Sequence, residues 1–198
     1  MRSRRRPRVR GWVYASVGTL KTLETPRLIL RQWRDEDVER WVAMCADPRV
    51  MEFFPSTIGR EQAEKMAAGM RSGLERDGYG WWPIEVKGGA PFAGAILLQE
   101  IPFEAHFTPA MEVGWWLAFE QWGHGYATEG ARAALDYAFG ELQRSEIVAI
   151  TTPVNQRSQR VMQRLGMTRD PNEDFENPRV ALGHPLRTHV LYRIRAHG

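Results

Sequence analysis

Residues 111–139 read MEVGWWLAFEQWGHGYATEGARAALDYAF. The apolar run Val113 to Ala118 predicts a buried strand. A four-residue break leads to Gly123-His124-Gly125, and a helix with small residues on one face follows. Strand, glycine loop and helix in that order gather free main-chain N–H groups at a positive helix end, which is a receptor for phosphate oxygens. The loop is too short for a Walker loop, lacks its Lys-Ser/Thr ending, and does not have the spacing of a dinucleotide fingerprint. A different phosphate-bearing cofactor is implied.

Working outward, Arg27 to Trp33 alternates as a strand after the Thr25-Pro26 break. Asp35 can cap a helix in which Val38, Trp41, Val42 and Cys45 recur at three- and four-residue steps, ending at Asp47-Pro48. Pro55 to Gly59 is a turn. A second helix, about 60–75, carries Ala63, Met66, Ala67 and Met70 on one face, and Asp77-Gly78 ends it. Strands are expected over 79–86 and 92–101, joined by the Lys87-Gly88-Gly89 turn. Beyond the glycine loop and its helix come a strand over 146–152 and a helix over 155–165 stopped by Gly166. Residues 170–187 hold three prolines among Asn, Asp and Glu and read as a long loop. A strand over 189–194 closes a mixed α/β domain.

The chain has 198 residues, enough for one domain that buries about two-thirds of its unfolded surface. A pI near 9.3 invites a nucleic-acid reading. Of 27 basic side chains, however, six arginines lie in the first ten residues, and the remaining 21 face 24 acidic ones. The basic character therefore belongs to a tail, residues 1–20, read as a flexible extension ahead of a domain over 21–198. The tail lacks the apolar core of about 7–15 residues that a secretion signal needs. No segment has the roughly 18 apolar residues of a membrane span. One cysteine, Cys45, allows no internal disulfide and sits at core spacing. His106, His184, His189 and His197 form no metal spacing. A cytoplasmic protein fits these features best, without a membrane or nucleic-acid partner.

Four stretches carry a family likeness: Glu24-Thr25-Pro26-Arg27-Leu28-Ile29-Leu30-Arg31, Glu112-Val113-Gly114-Trp115-Trp116-Leu117, Trp122-Gly123-His124-Gly125-Tyr126-Ala127-Thr128-Glu129, and Asn155-Gln156-Arg157-Ser158 continuing to Arg164-Leu165-Gly166-Met167. In this order the chain resembles the GNAT N-acetyltransferases, and within them the RimJ/RimL-type branch, over about 22–195. The resemblance implies a mostly antiparallel mixed sheet with flanking helices and a splayed central strand pair. It also implies acetyl-CoA as cosubstrate, with no metal. Two positions depart from the family pattern. Trp122 stands where the loop usually opens with Arg or Gln, and Met162 stands where many members carry a Tyr that protonates the leaving thiolate.

The pyrophosphate is expected on the backbone of Trp122, Gly123, His124, Gly125, Tyr126 and Ala127, with Thr128 as a side-chain donor. The glycines allow close approach and positive φ, and His124 points outward. Trp122 is expected to pack against the cofactor or the helix. From the resemblance, Leu117 and Ala118 offer main chain to the pantetheine arm. Asn155 supplies an amide to that arm or caps its helix. Ser158, one turn on, lies near the thioester sulfur.

Glu112 shares a strand face with Gly114 and Trp116. In an apolar setting its carboxyl can take the proton of an amine or anchor the ammonium; Glu100 and Glu104 are weaker candidates. Tyr79, Trp81, Trp82, Trp115, Trp116, Phe53 and Phe54 suit either an acceptor pocket or core packing, and alternation keeps Trp115 and Trp116 from sharing one pocket. The expected activity is direct acetyl transfer from acetyl-CoA to a primary amine, either a protein N-terminal α-amine or a small amine. A non-catalytic acyl-CoA-binding domain is the alternative, and a homodimer stays open.

Overall fold

Alternation and helical period become ordered elements through residues 21–196, the part of the chain that the computed structural model describes. The extension expected over 1–20 lies outside the described residues, as does His197. In chain order the elements are β1 (Leu23–Glu24), β2 (Leu28–Leu30), α1 (Asp35–Ala46), α2 (Arg60–Asp77), β3 (Trp81–Val86), β4 (Gly94–Glu100), β5 (Met111–Leu117), α3 (Tyr126–Gly140), β6 (Glu146–Thr151), α4 (Gln156–Arg164), β7 (Thr168–Arg169), β8 (Phe175–Glu176) and β9 (Thr188–Arg195). The strands form one mixed sheet in the order β1-β2-β3-β4-β5-β6-β9-β7, with β8 also on β9.

All pairings are antiparallel except β5 with β6. A parallel pair needs a crossover, and α3 supplies it. β5 and β6 meet at a single register position, Glu112 opposite Val148, and separate beyond it. The expected splayed central pair is thus present.

Registers sort the side chains onto two faces. One carries Leu28, Leu30, Trp82, Ile84, Ile96, Leu98 and Val113, all fully buried. α3 lies against it through Gly130, Ala131, Ala134 and Ala138. A Cβ on Gly130 would fall 2.8 Å from Ile96 Cγ1, so the helix reaches this depth only because the position lacks a side chain. The other face carries Trp81, Glu112, Gly114 and Trp116. There Trp116 stacks on Trp41 of α1 at 5.3 Å, and Trp41 donates to the Ala63 carbonyl of α2 at 3.1 Å.

Three expectations are corrected. Asp35 does not cap α1. It pairs with Arg71 at 2.7 Å, while the buried Asp37 carboxylate accepts the Arg34 N–H at 2.8 Å. The strand expected over 27–33 is shorter, Leu28–Leu30, flanked by single main-chain bonds from Lys87 N–H to Arg27 O at 2.9 Å and from Arg31 N–H to Pro83 O at 3.1 Å before the chain turns into α1. Residues 170–187 are not bare loop. Phe175 anchors β8 in a second core with Ile101, Phe107, Val148 and Leu191, which the surrounding prolines and charges obscured.

Asp37 holds Arg31 by two hydrogen bonds, 2.7 and 3.0 Å, and Arg31 continues to Glu85 at 2.8 Å. Removing one member leaves a charge stranded in the interior, which typically costs about 3–5 kcal/mol. Asp37→Asn should therefore lower the unfolding free energy by about that amount in a urea titration. A loss below about 1 kcal/mol would show that the pair does not hold α1 to the sheet.

Candidate cofactor and acceptor site

Gly123 and Gly125 both take left-handed backbone angles, φ 79° and 81°. The turn they make leaves the N–H groups of Gly123 through Thr128 without a partner among the described residues, and the first helical bond closes at Glu129 N–H to Gly125 O, 3.1 Å. These donors converge at the N-terminus of a 15-residue helix. An array of this kind fits a pyrophosphate.

The loop is held from behind. Arg27 donates to the His124 carbonyl at 2.9 Å and pairs with Glu129 at 2.5 Å. The Thr25 hydroxyl donates to Glu129 at 2.6 Å. Burial pushes the Glu129 carboxyl up, but the hydrogen bonds from Thr25 and Arg27 more than reverse this and hold it below its ordinary value. With the loop carbonyl tied back, its amides face outward. His124 is exposed and stacks on Tyr126 at 5.3 Å.

Trp122 is held by the protein itself. Its indole N–H donates to the Leu117 carbonyl at 2.9 Å, its ring lies against Phe119, and the Arg157 guanidinium covers it at 4.7 Å. Arg157 also pairs with Glu52. Pro48, Arg49, Glu52, Phe119, Trp122 and Arg157 bound a recess of about 340 Å³ beside the loop.

Ala118 N–H donates to Ala93 O at 3.0 Å, toward β4, and its carbonyl accepts from Gln121 N–H at 2.9 Å. Its main chain is therefore engaged within the protein. Strand alternation turns the N–H groups of Trp115 and Leu117 the other way, into the gap where β6 has diverged. Across that gap, Asn155 caps α4 by accepting the Ser158 N–H at 3.1 Å, and its amide NH₂ has no partner among the described residues. The half-buried Ser158 hydroxyl has no partner among the described residues. Met162 is 1% exposed within the core, so nothing there can donate a proton.

Glu112 sits on the opposite face of the sheet, beside Gly114 and Trp116, where the register puts it next to Gln99. Its carboxylate has no hydrogen bond or ion pair among the described residues. Enclosure pushes it up to about 7, against an opposing pull from Arg179. The other acidic candidates do not compete: Glu100 pairs with Arg144 at 2.8 Å, and Glu104 is exposed. Phe54, Trp81 and Trp41 pack around Trp116 at 4.4, 5.8 and 5.3 Å. Trp82 lies on the other face against Tyr137, Trp115 shares that face, and Phe53 lies beneath Arg157. Next to Gln99, Met66, Met70, Tyr79 and Trp81 line a groove of about 470 Å³ under α2.

The acetyltransferase (GNAT) domain model matches residues 27–168. The chain belongs to the GNAT family. It is similar to YkkB of Bacillus subtilis (strain 168), 32% identical over 146 residues, covering 73% of this chain and 84% of the relative. It is also similar in structure to an acetyltransferase from Agrobacterium tumefaciens str. C58, with a TM-score of 0.70 and 26% identity over 95% of this chain and 100% of that one. Mycobacterium smegmatis RimJ, solved with CoA-disulfide, shares the fold at a TM-score of 0.70 and 21% identity, over 89% and 88% of the two chains. This GNAT protein is thus an acetyl-CoA-dependent N-acetyltransferase. No group that could hold a metal ion occurs among the described residues.

The Arg27–Glu129 clamp, the Arg157 cover on Trp122 and the approach of Arg179 to Glu112 were not read from the sequence. Arg27 and Glu129 both lie in motif stretches, yet they stand 102 residues apart and local spacing cannot join them. A side chain at Gly125 is strained at φ 81° and meets Arg27 Nη2 at 3.4 Å. Gly125→Val should weaken acetyl-CoA binding at least about tenfold by calorimetry, with the circular dichroism spectrum unchanged. Unaltered affinity would remove the loop from the cofactor site.

Proposed function

We propose that this GNAT protein transfers acetyl from acetyl-CoA directly to a primary amine in a ternary complex, without a covalent enzyme intermediate. The observation that carries the proposal is the position of Glu112. It occupies the one paired position of β5 and β6, on the sheet face with Gly114 and Trp116, and the main chain just beyond it borders the gap where the two strands separate. A carboxyl near 7 is half ionised at neutral pH, and ionised it can take a proton from an ammonium. Only the neutral amine attacks a thioester carbonyl, so removing that proton is the step the reaction requires.

The remaining roles follow from the free groups around the gap. The N–H groups of Gly123 through Thr128 bind the pyrophosphate. The Leu117 N–H, directed into the gap, meets the oxyanion that forms at the thioester carbonyl. The free amide of Asn155 serves the pantetheine arm. The unpartnered Ser158 hydroxyl donates to the departing thiolate, which Met162 cannot do. Holding both substrates across one strand accounts for much of the rate. The motif resemblance favours a RimJ/RimL-type enzyme, and the acceptor is a protein N-terminal α-amine or a small amine.

The burial of Met162 favours one rival, an acyl-CoA-binding domain without turnover. Steady-state kinetics against an amine panel separate the two. Glu112→Gln should lower kcat by about 100-fold, within the usual range for general-base catalysis, with acetyl-CoA affinity unchanged. In the wild type, kcat should fall as pH drops below about 7, because Glu112 is then protonated, and the variant should lack this limb. Wild-type rates in Glu112→Gln would remove the residue from the mechanism. Tight acetyl-CoA binding with no turnover on any amine would support the rival.

A further inference from the structure

We propose that Arg179 is an anion anchor of the acceptor site and that the acceptor is a small α-amino acid with a free carboxylate and an apolar side chain. This rests on the acetyl-transfer reading above and deepens it. The amine would lie at Glu112, the carboxylate on Arg179, and the side chain in the groove under α2.

Arg179 stands on a turn that the sheet holds firmly. The Asn177 side chain accepts the Arg179 N–H at 2.9 Å, and the Asn177 carbonyl accepts the Val180 N–H at 3.1 Å. Asn177 N–H donates to Arg187 O at 2.9 Å, Asn177 itself is buried, and Arg187 binds the Val180 carbonyl. The main chain of Arg179 is therefore fixed while its side chain stays exposed.

Other arginines of this region find a carboxylate: Arg169 has Asp174, Arg187 has Glu176, and Arg193 has Glu146 and Glu173. Among the described residues the Arg179 guanidinium has no hydrogen bond or ion pair. It lies near enough to Glu112 to favour that group's charged form, yet does not pair with it.

Register sets Glu112 beside the groove, and the segment that leads to Arg179 packs on its other side. Gln99, Glu112 and Val148 lie side by side on one face of β4, β5 and β6. At about 4.8 Å per strand they span about 10 Å, the scale of one amino acid. Phe175, shortly before the Arg179 turn, packs with Val148 on the β6 side. Met66, Met70 and Trp81 border the groove on the β4 side, where the thioether side chains adapt to apolar shapes. The charges at its rim are already matched, Arg76 by Asp77 and Glu100 by Arg144. Glu112 is central, so a molecule with its amine there directs one substituent each way. A planar guanidinium suits a carboxylate, which it grips with two hydrogen bonds. A peptide N-terminus would present a neutral amide instead and leave the cation unmatched.

The test compares L-leucine with L-leucinamide as acceptors for the full chain, at equal concentrations of free amine. Wild-type kcat/KM should favour L-leucine at least about tenfold. Arg179→Gln should abolish that preference, mainly through KM, Arg179→Lys should restore part of it, and acetyl-CoA affinity should be unchanged in both. Equal or better use of the amide by the wild type, or an unaltered ratio in Arg179→Gln, would overturn the proposal. So would turnover of other amines but not of L-leucine, with the acetyl-transfer reading intact. If no amine is acetylated, that reading fails, and calorimetric titration of L-leucine into the CoA-loaded protein decides the anchor. Binding lost in Arg179→Gln supports it, and no binding to the wild type overturns it.

Discussion

β5 and β6 pair at one position, Glu112 opposite Val148, and every part of the site depends on the separation that begins there. A continued ladder would have bonded the N–H groups of Trp115 and Leu117 to β6. Divergence leaves them without a partner among the described residues, in a gap bordered by α4 with Asn155 and Ser158 at its first turn. The same strand carries side chains on its faces and main-chain groups on its edges. One element thereby serves the cofactor through its edge and the acceptor through its face. Direct transfer between two molecules requires that their reacting atoms meet, and a single strand between them provides it.

The separation is held open by packing. Gly130 lets α3 sit against Ile96, which brings the helix N-terminus to the end of β5. Arg27 and Glu129 then draw the loop carbonyl back and leave the amides facing outward. Glu112 opposes stability where it serves function. Its folded value, about 7, exceeds the ordinary carboxylate value of 4.5, so the folded chain holds this proton more tightly than the unfolded one. Stability attributable to this group is therefore full below the unfolded value and is lost as pH rises through about 7. A carboxylate that stabilised the fold in its charged form would have the opposite sign.

Much of this was legible in the chain because it is local. Strand, glycines and helix are contiguous over 111–139, and Asn155 and Ser158 are one turn apart, so hydrophobic period and turn chemistry located the loop and the α4 cap. What stayed hidden joins distant residues. Three acidic residues open α1, and only burial distinguishes Asp37 from Asp35. Arg27 meets Glu129 across 102 positions. Arg179 and Phe175 lie in a stretch whose composition reads as loop, although its shape is set by a second core assembled from β6, β9 and residues 101–107.

The central claim, that unbonded main-chain N–H groups of one strand end and one helix start receive acetyl-CoA, is open to direct measurement by amide hydrogen exchange with and without acetyl-CoA. The amides of Trp115, Leu117 and Gly123 through Thr128 should exchange quickly in the free protein and become protected on binding. The Ala118 amide, already bonded to Ala93, should change little. Protection appearing elsewhere, with these amides unchanged at saturating acetyl-CoA, would contradict the account.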